Sequence, residues 1–139
     1  MNYLLDTNIV SHIIRGDIPE IQEKVRSIKV SKLSVSIITY AEICYGLEKK
    51  GNPKDLKNLV DAFFDSVDVL PFYLTEAMKY ASLRTRCNAA GVTVESMDLL
   101  IAAHALSIQE YVGKNYVLIT RDKIFSKIPA DVGLTYERW

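Results

Sequence analysis

The 139 residues hold 17 basic and 17 acidic side chains, so the formal net charge is zero and no overall field would attract nucleic acid or a membrane surface. Hydrophobic residues make up 49% and charged residues 24%, which excludes a disordered chain and suits one domain, residues 1–139, burying roughly two-thirds of its unfolded surface. The two cysteines, Cys44 and Cys87, exclude a disulfide framework and lack metal-ligand spacing; both read as small buried thiols in a reducing compartment.

Residues 3–5 predict a short strand that stops abruptly at Asp6-Thr7-Asn8. A helix starting at Thr7 or Asn8 runs towards Arg15, with Gly16 placed to close it. The start has no basic stretch before an apolar run, and Asp6 interrupts it early, so no signal peptide is expected. Ile18, Ile21, Val25 and Ile28 recur every three or four positions and predict a second amphipathic helix. Residues 33–36 alternate as a strand. From 37 to 50 the period becomes helical, through Ile37, Tyr40, Ala41, Cys44 and Leu47, until Gly51-Asn52-Pro53 stops it.

Further helices are predicted over 53–66 and 75–90, separated by a strand at 67–70. The helix over 98–110 is apolar on nearly every side and belongs inside the molecule. Strands at 116–120 and 132–136 complete the series. Short strands alternating with helices give an α/β domain with a mostly parallel sheet. The uncharged runs, such as 99–109, fall short of the ~20 residues that span a bilayer, so a cytoplasmic protein with no membrane partner is expected.

In such sheets the ligand crevice lies beyond the carboxyl ends of the strands. Asp6 follows the first strand, and Asp122 stands two residues after the strand ending at Thr120. Two further acids sit in apolar helical surroundings, Glu42 in ITYAEICYG and Asp98 in SMDLLIAAHAL. Each has a plain structural explanation. Asp6 or Asn8 fits a helix cap, and Thr39 with Glu42 fits a capping box. Asp98 suits a first helical turn and Asp122 a turn. Together they read differently. Two carboxylates ~4 Å apart repel by about 4 kcal/mol at an effective dielectric of 20, so four converging acids call for protons or cations. An all-oxygen ligand set suits Mg²⁺ or Mn²⁺.

The succession LLDTN, EICYG, DLLIAAHA and TRDKIF resembles the PIN-domain ribonucleases, and among them the VapC-type toxins of bacterial toxin–antitoxin pairs, over essentially the whole chain. The closing Tyr136-Glu137-Arg138-Trp139 is similar to the tails of many members. The resemblance implies a three-layer α/β/α sandwich in which Asp6, Glu42, Asp98 and Asp122 are the catalytic residues and hold Mg²⁺ or Mn²⁺. It implies a metal-dependent endoribonuclease cutting structured RNA, transfer RNA before ribosomal RNA, with metal-activated water as nucleophile. A homodimer and a cognate VapB-like antitoxin are implied as partners. Thr7, Asn8 and Thr120 are expected to orient the acids or the metal's waters. Arg121 and Lys123 are candidates for backbone phosphate, and Glu95 for an accessory acid.

His104 lies about 240° around the helix from Asp98 and reads as a packing residue. Nothing pairs His12 with a nucleophile; Arg84 and Arg86 project about 200° apart on a helix and do not both meet one RNA strand, and Tyr40 and Tyr45 read as core or dimer surface rather than base-stacking residues. Two other readings stand beside the nuclease. A haloacid-dehalogenase-like phosphatase also uses an aspartate after its first strand, but wants a second acid where this chain has Asn8. A non-catalytic interaction domain with an acidic pocket gives no reason for Glu42 in an apolar helical stretch.

Overall fold

A computed structural model describes residues 1–139, the side chain of Lys114 excepted. The elements run β1 (Asn2–Leu5), α1 (Thr7–Arg15), α2 (Pro19–Ser27), β2 (Leu33–Ser36), α3 (Ile37–Lys49), α4 (Lys54–Ser66), β3 (Asp68–Leu70), α5 (Leu74–Ala89), α6 (Ser96–Val112), β4 (Tyr116–Ile119) and β5 (Tyr136–Glu137). The five strands form one sheet in the order β3-β2-β1-β4-β5, with every pairing parallel. Parallel neighbours need crossover connections, which the helices supply on both faces of the sheet.

Strand periodicity divides the core. Leu4 and Leu118 point to one face, where Leu83, Cys87, Leu99 and Ala102 of α5 and α6 cover them. Tyr3, Leu5, Val35, Val117 and Ile119 point to the other, against Ile9, Val10 and Ile21 of α1 and α2 and the Phe63–Phe64 pair of α4. The three-layer α/β/α arrangement expected from the sequence is present. Residues 101–107 of α6 are all buried, which matches a helix with no polar face.

Side-chain chemistry fixes the helix starts nearest the strand ends. Asp6 caps α1 by accepting from the Ile9 N–H at 2.9 Å, and Gly16 (φ 66°) ends that helix in the left-handed conformation. Ser36 caps α3 by accepting from the Ile38 N–H at 3.0 Å. That assignment replaces the Thr39–Glu42 capping box: Thr39 is already inside the helix, and Glu42 is engaged elsewhere.

The strand expected over 132–136 is only partly formed. Residues Ala130–Val132 make a 3₁₀ turn, Gly133 takes φ 82°, and just Tyr136–Glu137 pair with β4. A turn that consumes Val132 and a left-handed glycine leave too little extended chain for more. Cys87 is buried as expected, whereas Cys44 is half-buried; both thiols are free. Among the described residues, no helix is long and apolar enough to cross a membrane.

Candidate active site

The strand order places the site before any acid is considered. The chain steps from β1 to β2 to β3 in one direction and then returns to β4 on the other side of β1. The crossovers therefore part between β1 and β4, and a crevice opens beyond their carboxyl ends. Asp6 leaves β1 at that point, and Thr120, Arg121 and Asp122 leave β4. The Asp6 N–H donates to the Ile119 carbonyl at 3.0 Å, which ties the two exits together.

Asp6 is 3% exposed. One carboxylate oxygen takes the Ile9 N–H, and the other takes the Thr120 hydroxyl. Thr120, buried as well, accepts the Asp122 N–H at 3.0 Å, so a single hydroxyl links the first acid to the backbone of the last. Asp122 caps the short 3₁₀ turn Lys123–Lys127 by accepting from the Ile124 N–H at 2.9 Å. Across the crevice, the Thr7 hydroxyl donates to Glu42 Oε1 at 2.6 Å. The Thr39 hydroxyl lies 3.2 Å from that of Thr7. Because the single Thr7 proton goes to the carboxylate, Thr39 is the donor in that contact. Asp98 stands half-buried in the first turn of α6.

Electrostatics shows which acids face one another. Burial raises the Asp6 pKa to about 6 against the lowering effect of Thr120 and Ile9, and the charges of Asp122 and Glu42 push the same way as burial. Asp98 is also raised to about 6, by burial first and then by Asp122, Glu95, Glu42 and Asp6. Asp6 and Asp98 thus both feel the charges of Glu42 and Asp122. Among the described residues, no three His, Cys, Asp or Glu side chains form a closed ligand group. Asp6, Glu42 and Asp122 lie within electrostatic reach of Asp98. Every donor is a carboxylate oxygen, the chemistry that hard divalent ions take.

A separate cavity, about 650 Å³, lies between α5, α6 and Val132. Its rim carries the ion pairs Lys79–Glu110 and Arg86–Asp131, and none of the converging acids lines it.

The PIN domain family matches residues 3–131, nearly the entire length. The chain belongs to the PIN domain family. Within it, the chain is 31% identical over 107 residues to Ribonuclease VapC2 of Haemophilus influenzae, covering 77% of this chain and 80% of that protein. It is 28% identical over 140 residues to the tRNA(fMet)-specific endonuclease VapC of Salmonella typhimurium, covering all of this chain and 98% of that one. The crystal structure of DNA-bound VapBC from Salmonella typhimurium superposes with a TM-score of 0.86 at 28% identity, over all of this chain and 98% of its counterpart.

In this PIN domain, Asp6, Glu42, Asp98 and Asp122 meet at one crevice, with Glu95 exposed at the α6 cap and within electrostatic reach of Asp98. Thr7 and Thr120 hold acids directly. Asn8 is exposed one position into α1, and the cap assigned to it as an alternative is Asp6. Lys123 is exposed beside Asp122. Arg121 does not point at the crevice, since its Nε donates to the Trp139 carbonyl at 2.5 Å. His104 packs as expected, with Nδ1 2.8 Å from the Ser36 hydroxyl and its ring edge-on to Phe72. Sequence reasoning missed Thr39 as a hydroxyl in the site; the T-x-x-E spacing drew attention to a cap instead.

Proposed function

We propose that this PIN domain is a metal-dependent endoribonuclease, the toxin of a toxin–antitoxin pair, which cuts structured RNA with transfer RNA favoured. The carrying observation is that acids from four separate segments face one crevice beyond β1 and β4, where burial and the neighbouring carboxylates raise the pKa values of Asp6 and Asp98. Asp6, Glu42, Asp98 and Asp122 would hold Mg²⁺ or Mn²⁺. When bound, the ion supplies an acidified water and offsets charge on the phosphate under attack.

The residues around the acids have defined work in this reading. Thr120 and the Ile9 N–H occupy one lone pair on each Asp6 oxygen and leave the others for a cation. Thr7, backed by Thr39, fixes the Glu42 carboxylate. Asn8 is placed to bind water rather than Asp6. Lys123 offers an exposed cation to RNA phosphate. The name of the full-length Salmonella relative supports transfer RNA as the first substrate to test.

A VapB-like antitoxin is the proposed partner. A groove of about 190 Å³ runs from Thr7 and Glu42 along Ile14, Ile43, Leu47 and Val60. An apolar trough ending at carboxylates suits an amphipathic segment that carries a basic side chain. A homodimer in the cytoplasm completes the proposal.

The test is cleavage of a transfer RNA pool by purified protein with Mg²⁺ or Mn²⁺, with chelator, and with Asp6→Asn. Cation-dependent cutting lost in Asp6→Asn is expected. Equal cutting by the two proteins, or cutting undiminished by chelator, sinks the reading.

A further inference from the structure

Arg121 stands between Thr120 and Asp122, one residue from each, yet its side chain leaves the crevice. Its Nε donates to the carbonyl of Trp139, and Arg138 returns a hydrogen bond to the Arg121 carbonyl at 3.4 Å. The Thr120 N–H donates to the Glu137 carbonyl at 3.0 Å. The segment 137–139 is thus bound to residues 120–121 by three hydrogen bonds, one residue upstream of Asp122. Trp139 anchors that segment. It is 6% exposed, it packs in the core with Leu5, Val117 and Ile119, and its ring meets Tyr3 edge-on at 5.2 Å.

The segment has little else to hold it. Tyr136, Glu137 and Arg138 are exposed, and β5 is a two-residue edge strand. Gln109 and the Leu118 N–H fix Thr135 just upstream, and beyond that point a two-residue edge pair contributes little order, so the buried indole and the arginine hold the end of the segment. On the other side of this join, the Thr120 hydroxyl reaches Asp6. A continuous path therefore runs from the Trp139 ring through Arg121 and Thr120 to Asp122 at the exit of β4 and to Asp6 at the exit of β1.

We propose that Arg121 and Trp139 form a strap that positions Thr120 and Asp122 against Asp6 and so sets the affinity of the acidic crevice for a divalent cation. Arg121 is a positioning residue and touches neither RNA nor ion. This deepens the metal-dependent reading and rests on it.

The sign of one measurement separates this role from its rivals. A cation beside a carboxylate cluster opposes binding of another cation. If Arg121 acted only by its charge, removing it would tighten Mn²⁺ binding. If it contacted RNA phosphate, removing it would raise the KM for RNA and leave Mn²⁺ affinity unchanged. The strap predicts weaker Mn²⁺ binding by about 10-fold or more, the usual size of an effect from groups that orient metal ligands.

The experiment is calorimetric titration of Mn²⁺ into the full chain without RNA, for the wild type, Arg121→Ala, Arg121→Lys and Trp139→Phe, with Lys57→Ala as control. Melting temperatures are recorded alongside. Weaker binding by Arg121→Ala at an unchanged melting temperature, with partial recovery in Arg121→Lys, is expected. Should Arg121→Ala fail to fold, Trp139→Phe carries the test, because a smaller ring loosens the anchor while keeping the core apolar. Affinity equal to or tighter than wild type in whichever of these variants folds overturns the strap. A wild type that binds no Mn²⁺ instead overturns the metal-dependent reading itself.

Discussion

A single hydroxyl does two jobs at Thr120, and each can be measured. It donates to the buried Asp6 and accepts from the part-buried Asp122 N–H. Thr120→Val keeps the shape and leaves one carboxylate oxygen and one N–H unsatisfied. The expected loss is about 2 kcal/mol of stability, read by urea unfolding. Because that donor lowers the Asp6 pKa, its removal also shifts the midpoint of Mn²⁺ binding to higher pH. Thr120→Ser should restore both. The four acids were legible because each stands at an element boundary or in an apolar helix, where a charge needs a reason. Their partners were not. Thr7 finds Glu42 across 35 positions, and Arg121 turns to Trp139 across 18, and no local pattern encodes either choice.

Elements were legible to the extent that their own residues decide them. The alternation of Leu33 to Ser36 and the apolar girth of α6 reflect packing on known faces, so period alone locates them. The exit of β5 was harder, because its pairing depends on the free edge of β4 rather than on residues 132–136. Helix starts show the same division. Ser36 was not singled out, yet it caps α3 and meets the buried His104. It therefore couples the helix bearing Glu42 to the central helix that begins beside Asp98. Ser36→Ala removes a cap and strands a buried imidazole nitrogen, each on the order of 1 kcal/mol or more. A fall in melting temperature of roughly 8 °C is expected in thermal unfolding. Ser36→Thr, which keeps the hydroxyl, should lose less than half of that. An alanine variant as stable as the wild type would show that the two helices are held by packing alone.

For the molecule as a whole, the convergence of acids makes stability depend on pH and cation together. Asp6 and Asp98 carry pKa values of about 6 in the fold against an ordinary 3.8, so the folded chain holds protons that the unfolded chain has released between pH 4 and 6. Their contribution is therefore full below pH 4 and disappears as pH rises through 6. At neutral pH, keeping Asp6 ionised in the fold costs on the order of 3 kcal/mol. Asp6→Asn removes that charge and keeps an oxygen for the Ile9 N–H. It sacrifices the acceptor for Thr120, worth about 1 kcal/mol. The net sign favours the variant: at pH 7.5 without divalent cations, Asp6→Asn should melt higher than the wild type, and at pH 4 lower. Adding Mn²⁺ reverses the order at pH 7.5, because only the wild type gains stability by binding, about 2.7 kcal/mol at a hundredfold excess over Kd. At pH 5 Asp6 and Asp98 are mostly protonated, so Mn²⁺ should stabilise the wild type far less than at pH 7.5. Differential scanning fluorimetry at the three pH values, with chelator or Mn²⁺, reads every arm. A wild type that Mn²⁺ stabilises equally at pH 5 and 7.5 would show that the ion binds elsewhere than among these carboxylates.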